Sequence, residues 1–138
     1  MVETPKHVSG AELVVNAFGY WPSFHDARIE GVRLDRAGGG AVMFRLHAFE
    51  MTRETDARGC FRVTKRHVVH LRFDDVADVL IPERDDTLLG LEIGSELGSD
   101  GRFLVVVESA IGNEDEGYGG SFRARSGVVL DVVPLAAE

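Results

Sequence analysis

The stretch FGYWPSFHD, residues 18–26, decides how this sequence is interpreted. It contains the one tryptophan and one of the two tyrosines in a chain of 138 residues. The proline after the tryptophan fixes the backbone direction at the point where helical spacing stops. We therefore predict that Trp21 and Phe24 fill the gap between the end of a helix and a β-sheet. His25 and Asp26 are predicted to satisfy backbone groups at the same junction.

A helix is predicted immediately before this stretch, from about residue 10 to residue 18. Ser9 and Glu12 have the spacing of a capping box, in which each side chain bonds a free backbone N–H group at the helix start. Apolar residues then recur at helical spacing as far as Phe18. Gly19 is the residue type that ends a helix in the left-handed conformation.

After Pro22 the apolar residues alternate with a period of two, which is typical of β-strands. The phase slips at Glu30-Gly31, and this slip predicts a β-bulge. Two longer strands are each predicted to turn one mainly apolar face inward, and these faces are Val42, Phe44, Leu46 and Ala48 in the first and His67, Val69, Leu71 and Phe73 in the second. His67, in phase with apolar neighbours, is predicted to be a hydrogen-bonded core histidine.

The second half of the chain continues the strand pattern with one interruption. The segment DDVADVLIPERDD, residues 74–86, is predicted to be a loop or a helical turn. RFLVVVES, residues 102–109, is apolar on both faces and predicts a central, covered strand. The last strand is predicted to alternate, with one face formed by Phe122, Ala124, Val128, Leu130 and Val132.

These elements predict a single α+β domain over residues 1–138. Its strands follow one another without crossover helices, so neighbours are expected to pair antiparallel. We predict one N-terminal helix packed on a mostly antiparallel sheet of about six strands.

Composition and charge narrow the possible functions. The formal net charge is −8 at pH 7, and such a chain repels phosphate backbones, so we expect no binding to nucleic acid. No stretch reaches the roughly 18 apolar residues of a membrane helix, and the N-terminal residues lack the apolar core of a signal peptide. Cys60 is the single cysteine, which rules out an internal disulfide and a cysteine-based zinc site. We expect a cytoplasmic protein.

Residues capable of chemistry are present but poorly arranged for it. Ser23, His25 and Asp26 are the residue types of a catalytic triad, yet neighbours on an extended chain point to opposite faces. His67 and His70 lie three apart on a strand and also face opposite sides, which is wrong for two ligands of one ion. The acidic runs lack the spacing of a calcium loop. We therefore expect no enzyme, no metal and no cofactor.

The residues around the tryptophan resemble a known family. A helix ending in Phe-Gly, then WPSFHDA and a strand with IEGVRLDR, is similar to the immunity protein fifty family of bacterial polymorphic-toxin systems. Later segments follow the same pattern, so the resemblance runs from about residue 10 to residue 134, although its specific part is residues 21–27. The family motif corresponds here to Trp21, Pro22, Phe24, His25 and Asp26.

The resemblance implies a cytoplasmic protein that binds a cognate toxin and blocks it by stoichiometric contact. A charge of −8 suits a toxin with a basic face, because complementary charge speeds encounter. On that hypothesis we predict a partner-binding surface in the acidic loops and a glycine-rich turn, formed by Asp74, Asp75, Asp78, Asp85, Asp86, Glu114, Asp115, Glu116 and Tyr118.

Two other functions remain open at this stage. The chain fits a small-ligand-binding or assembly module with another partner, which predicts a pocket lined by Trp21, Phe24 and His25. It also fits an enzyme that uses His25 and Asp26, which predicts that His25 is open to solvent beside a distant polar group. Free edge strands permit either a monomer or a homodimer.

Overall fold

The computed structural model describes residues 3–24, 27–36, 39–55, 57–59, 61–80, 88–109 and 119–135. In these ranges the protein is mostly β-structure with one short helix, so the predicted α+β class is confirmed. The described elements are β1 (Val8–Ser9), α1 (Ala11–Phe18), β2 (Arg28–Asp35), β3 (Ala41–Thr55), β4 (Phe61–Asp74), β5 (Ala77–Leu80), β6 (Leu88–Ile93), β7 (Phe103–Ser109), β8 (Gly119–Ala124) and β9 (Ser126–Pro134).

The strands form two sheets rather than the one that was predicted. The five-stranded sheet has the order β1-β9-β4-β3-β2, and the four-stranded sheet has the order β5-β8-β7-β6. Neighbouring strands pair antiparallel except for β1 and β9, which are parallel. The prediction of about six strands in one sheet is therefore too low for the described residues.

The two sheets face each other across one core. Alternation turns the apolar side of β3 inward, as predicted, and the side chains of Val42, Phe44, Leu46 and Ala48 are all buried. The ring of Phe122, from the four-stranded sheet, stacks 6.0 Å from Phe44 and meets Phe73 edge-on at 5.3 Å. These contacts make one continuous core of aromatic and branched side chains between the sheets.

The helix covers β9 and the adjoining part of β4, and it buries Ala11, Val14 and Phe18. Its predicted end is confirmed, since Gly19 has φ +87° and donates its N–H to the Val15 carbonyl at 2.7 Å. The predicted capping box is wrong. Ser9 lies in β1, and its hydroxyl donates to the Gly127 carbonyl at 3.3 Å, because the parallel pairing with β9 brings that group within reach. No helix in the described part of the chain is long and apolar enough to cross a membrane.

Two register shifts determine which side chains of β2 and β9 face the core. β2 is an edge strand of the five-stranded sheet, and β9 lies next to its other edge strand. The predicted irregularity at Glu30-Gly31 is confirmed by a register shift between Ile29 and Gly31. The predicted phase of β9 is wrong at Val128 and Leu130, because its pairing with β4 also shifts by one residue and Val129 is buried instead. Leu130 is 48% exposed as a result. Beyond the shift, Val132 packs against the core as predicted.

Residues 74–86 also differ from the prediction where they are described. Ala77–Leu80 form a strand that pairs with β8 at the edge of the four-stranded sheet. Asp75 and Asp78 have φ values of +51° and +53°, so the chain bends sharply as it leaves β4 and enters the second sheet. Alternation within a four-residue strand is too short to be recognised in an acidic segment.

Candidate functional site

The aromatic residues of the predicted motif belong to the core. Trp21 and Phe24 are each 3% exposed, and their rings meet edge-on at 5.6 Å. We call Trp21, Pro22 and Phe24 the aromatic wedge, since they close the core below the end of α1. The prediction that Trp21 is a core residue is confirmed. His25 and Asp26 lie outside the described residues, so their predicted roles stay predictions.

Polar contacts of Tyr20, Glu50 and Lys65, here called the polar ring, lie beside the wedge. Tyr20 donates its hydroxyl to Glu50 at 2.7 Å, and Lys65 contacts the same carboxylate at 3.1 Å. Lys65 also donates to the carbonyl of Phe18, the last helical residue, at 2.8 Å. The hydrogen bond from Tyr20 lowers the pKa of Glu50, and the same bond raises the pKa of Tyr20 to about 12. These contacts tie the end of the helix to β3 and β4.

The described acidic residues that were predicted to bind a partner are paired with arginines of the same chain. Asp74 accepts a hydrogen bond from Arg72 Nε at 2.8 Å. Asp78 accepts two from Arg123, at 2.6 and 2.9 Å. Asp75 is bound on both carboxylate oxygens, by Arg102 at 2.8 Å and by Arg125 at 2.5 Å. The other predicted residues, Asp85, Asp86, Glu114, Asp115, Glu116 and Tyr118, lie outside the described residues.

These pairs join into one network, here called the ion cluster, which comprises Asp75, Asp78, Asp100, Arg102, Arg123 and Arg125. Arg102 is at its centre: its Nε donates to the Asp75 carbonyl at 2.8 Å and its Nη1 to Asp100 at 3.0 Å. Arg123 bonds the same Asp100 carboxylate. The bond from Arg102 is the largest cause that lowers the pKa of Asp100 to about 2. Most of the charge of these three carboxylates is therefore balanced within the protein.

Among the described residues, carboxylates that form no ion pair lie instead along β6 and the outer face of β7, at Glu92 and Glu108. Leu104 and Val106 alternate with buried Phe103 and Val105, so they point away from the core, and Leu104 is 48% exposed. This corrects the prediction that β7 is covered on both faces. Val106 faces Glu92 of β6 across the ladder. An apolar floor with an acidic neighbour results from simple strand alternation.

Around this floor runs a groove of about 540 Å³, here called the carboxylate groove. Among the described residues that line it, Glu3, Glu92 and Glu108 are acidic and Lys6 is the one cation. Within the part of the chain that the structure describes, none of the three glutamates forms an ion pair. The groove therefore has an excess of negative charge beside exposed apolar surface.

One backbone hydrogen bond and the contacts of the His7 ring fix the walls of the carboxylate groove. The amide of Leu91, on edge strand β6, donates to the carbonyl of Ser23 at 3.2 Å, next to the aromatic wedge. His7 stacks on Phe103 with ring centroids 5.3 Å apart, and its Nε2 lies 2.9 Å from the Ser95 carbonyl oxygen. Ser23, between the residues of the wedge, is thus held against β6, and the N-terminal segment is held against β7 and the segment after β6, so the groove has a defined shape.

Metal ligation has no support in the described ranges, where no three His, Cys, Asp or Glu residues are grouped to hold an ion. His67 and His70 point to opposite faces of β4, as predicted. His67 is only half-buried: its ring lies 5.1 Å from Phe18, and its Nδ1 lies 2.8 Å from the Lys65 carbonyl oxygen. The predicted core histidine is therefore hydrogen-bonded, but it lies at the margin of the core. His70 pairs with Asp131 on the outer face.

No family model, curated protein or solved structure matches this chain. We therefore infer the function from the chemistry of the described surface. The carboxylate groove can receive a lysine or arginine side chain, with its aliphatic stem on Leu104 and Val106 and its charged head beside the glutamates. Sequence analysis missed this site. The alternation in LLGLEI and RFLVVVES nevertheless predicts that Glu92 and Leu91 face different sides of the sheet, and that Leu104 and Phe103 do so too.

Proposed function

We propose that this chain is a cytoplasmic immunity-type protein that neutralises a bacterial toxin by stoichiometric binding, without turnover or cofactor. The carboxylate groove receives a basic element of the toxin. The observation that carries the proposal is a set of three carboxylates, Glu3, Glu92 and Glu108, that form no ion pair with any described residue and lie beside an exposed apolar floor. Protein interfaces combine apolar contact with a few charged anchors in this manner.

The distribution of charge favours the groove over the acidic residues around the junction of β4 and β5. Asp74, Asp75 and Asp78 already bond to arginines of the chain, so a toxin would have to displace those arginines to use them. The groove carboxylates need no such exchange. The net charge of −8 adds a long-range attraction toward a basic partner, which raises the rate of encounter at low salt.

The resemblance to the immunity protein fifty family supports the same function through its aromatic motif. Trp21 and Phe24 are buried, so in this chain the motif residues that are described serve the fold. A shared motif in the core leaves the surface free to vary from one toxin to another. Specificity then lies in surface residues such as Glu92 and Glu108, which are no part of the motif.

The proposal is tested with the protein encoded by the adjacent open reading frame. Its toxic domain is purified and titrated calorimetrically with the wild type, Glu92→Gln and Glu108→Gln. Each groove substitution should weaken binding about 10- to 100-fold, because a hydrogen bond to a charged group contributes about 1.5 to 3 kcal/mol. Glu12→Gln, on the exposed side of α1, removes the same charge and should leave binding unchanged.

Two results would contradict the proposal. The first is the absence of a complex at micromolar concentration together with no protection of cells that co-express the toxic domain. The second is an unchanged affinity of both groove variants, which would leave an immunity function possible and remove the groove from it.

A second candidate function is the binding of a small cationic ligand. The volume of about 540 Å³ lies in the range of small-molecule sites, roughly 300 to 1,000 Å³. Thermal denaturation with spermidine or arginine distinguishes the two functions. A rise in melting temperature at micromolar ligand, absent in Glu92→Gln, would favour a ligand-binding protein.

A further inference from the structure

β2 is an edge strand of the five-stranded sheet in the described part of the chain. In the described part of the chain, Arg28–Asp35 pair with β3 on one side and with no strand on the other. An exposed strand edge presents a row of N–H and C=O groups that can bond to a further strand. β2 therefore has the backbone chemistry of a docking edge.

Apolar side chains are exposed along the same strand. Val32 is 40% exposed and Leu34 is 58% exposed. Their partners across the ladder, Phe44 and Val42, are buried, so Val32 and Leu34 lie on the inward face of the sheet but beyond the cover of the second sheet. Arg33 and Asp35 alternate with them and face outward. The strand thus carries an apolar face and a face with both signs of charge.

The charges determine how two copies of this strand can pair. Opposite residues in an antiparallel ladder share a face, so a two-fold axis between two β2 strands must pass through a residue opposite itself. An axis through Arg33 places like charges in contact, and one through Val32 places the bulge in the ladder. An axis through Leu34 places each Arg33 opposite Asp35 of the second copy. Of these three registers, it is the one that places opposite charges across the ladder.

We propose that β2 is a homodimer interface, in which β2 pairs antiparallel with β2 of a second copy about a two-fold axis through Leu34. The two Leu34 side chains meet at the axis. Each Val32 faces Arg36 of the other copy, whose aliphatic stem covers it. Two Arg33–Asp35 ion pairs form on the outward face. The five described strands of each copy then continue into one sheet, and an isologous contact of this kind closes at two subunits.

The inference does not depend on the proposed toxin binding, and its test uses the free protein. Sedimentation velocity on the 15.1 kDa chain at about 1 to 100 µM measures its mass. The wild type should sediment as a dimer at the upper concentration. Leu34→Lys should raise the dimer dissociation constant by tenfold or more. Leu13→Lys is the matched control, because Leu13 is 43% exposed on α1, which packs on β9 and β4.

A charge exchange tests the register itself. Arg33→Asp alone and Asp35→Arg alone each place like charges opposite one another, so each should give monomer. The double variant Arg33→Asp/Asp35→Arg restores opposite charges by the same two-fold symmetry and should recover the dimer. Circular dichroism and melting curves show that each variant is folded. The inference is overturned by a monomeric wild type at the highest concentration, by a dimer that Leu34→Lys leaves intact, or by a folded double variant that stays monomeric.

Discussion

The two ends of the molecule are closed by different chemistry. At the end where β4 begins, the aromatic wedge lies below the helix, with Trp21 and Phe24 almost wholly buried. At the end where β4 finishes, the ion cluster joins the turn after β4 to the start of β7 and the end of β8. Both closures link the two sheets, and they do so at opposite ends of the same strand.

These two links have the same role at opposite ends of the molecule, and we expect them to respond differently to pH and salt. Burial of the wedge stabilises through apolar area, which neither pH nor salt screening changes much. The arginines of the ion cluster remain in contact with water: the Arg102 side chain is 19% exposed and that of Arg125 is 52% exposed. Exposed ion pairs are screened by salt and contribute less. The wedge should therefore contribute most of the free energy of unfolding. The ion cluster should contribute a smaller part, which depends on pH and salt.

The first prediction breaks the wedge and has the largest expected effect. Trp21→Ala removes a ring that is 3% exposed and should lower the free energy of unfolding by about 3 to 5 kcal/mol. That is a large fraction of the roughly 5 to 15 kcal/mol of an ordinary domain. Urea denaturation followed by circular dichroism measures it.

Leu104→Ala is the control for that measurement, because its side chain is 48% exposed and should be nearly neutral. A Trp21→Ala variant that unfolds at the same urea concentration as the Leu104→Ala variant would show that the wedge does not hold the sheets together.

The same two ends differ in how well sequence alone predicts them. Gly19 and Gly31 are local signals, since a left-handed helix end and a bulge each favour glycine, and both were predicted. The burial of Trp21 also follows from its neighbours, because a proline directly after it turns the chain onto the sheet. The aromatic end is therefore specified by residues close together in the chain.

The ionic end depends on residues far apart. Asp75 binds Arg102 and Arg125, which are 27 and 50 positions away. These contacts exist because β5 crosses to the second sheet and pairs with β8, a pairing that no local pattern indicates. The acidic residues could therefore be recognised in the sequence, whereas the arginines that pair with Asp75 could not. The same reason hid the carboxylate groove, which needs the ladder between β6 and β7 to bring Glu92 beside Val106.

The second prediction separates the two ends by acid titration. Arg102 holds the pKa of Asp100 at about 2, below its ordinary 3.8. A carboxylate with a lowered pKa in the folded state stabilises the fold above its unfolded pKa, and this contribution is lost as the pH falls from about 4 to about 2. Asp100→Asn should therefore be less stable than the wild type at neutral pH, and the difference should disappear near pH 2.

Trp21→Phe serves as the comparison in that titration. Its deficit in melting temperature should stay nearly constant over the same pH range, because no proton is bound at the wedge. A deficit of Asp100→Asn that is equally constant would mean that the ion cluster contributes nothing through its charge.

The third prediction concerns the polar ring beside the wedge and has the smallest expected effect on stability. Tyr20 donates to Glu50 at 2.7 Å, and this bond raises the pKa of Tyr20 to about 12. In a Tyr118→Phe background Tyr20 is the single tyrosine, so the ultraviolet absorbance of tyrosinate reports on it alone. Glu50→Ala should return its pKa toward 10.0, while Glu12→Ala should leave it unchanged.

The sign of this shift qualifies the contrast between the two ends. A tyrosine whose pKa is raised on folding stabilises the fold fully below its unfolded pKa, and the contribution is lost as the pH rises from about 10 to about 12. The aromatic end should then weaken in base, through Tyr20, while the ion cluster weakens in acid, through Asp100. If Tyr20 titrates near 10 with Glu50 in place, the hydrogen bond does not persist in solution, and the aromatic end is held by apolar packing alone.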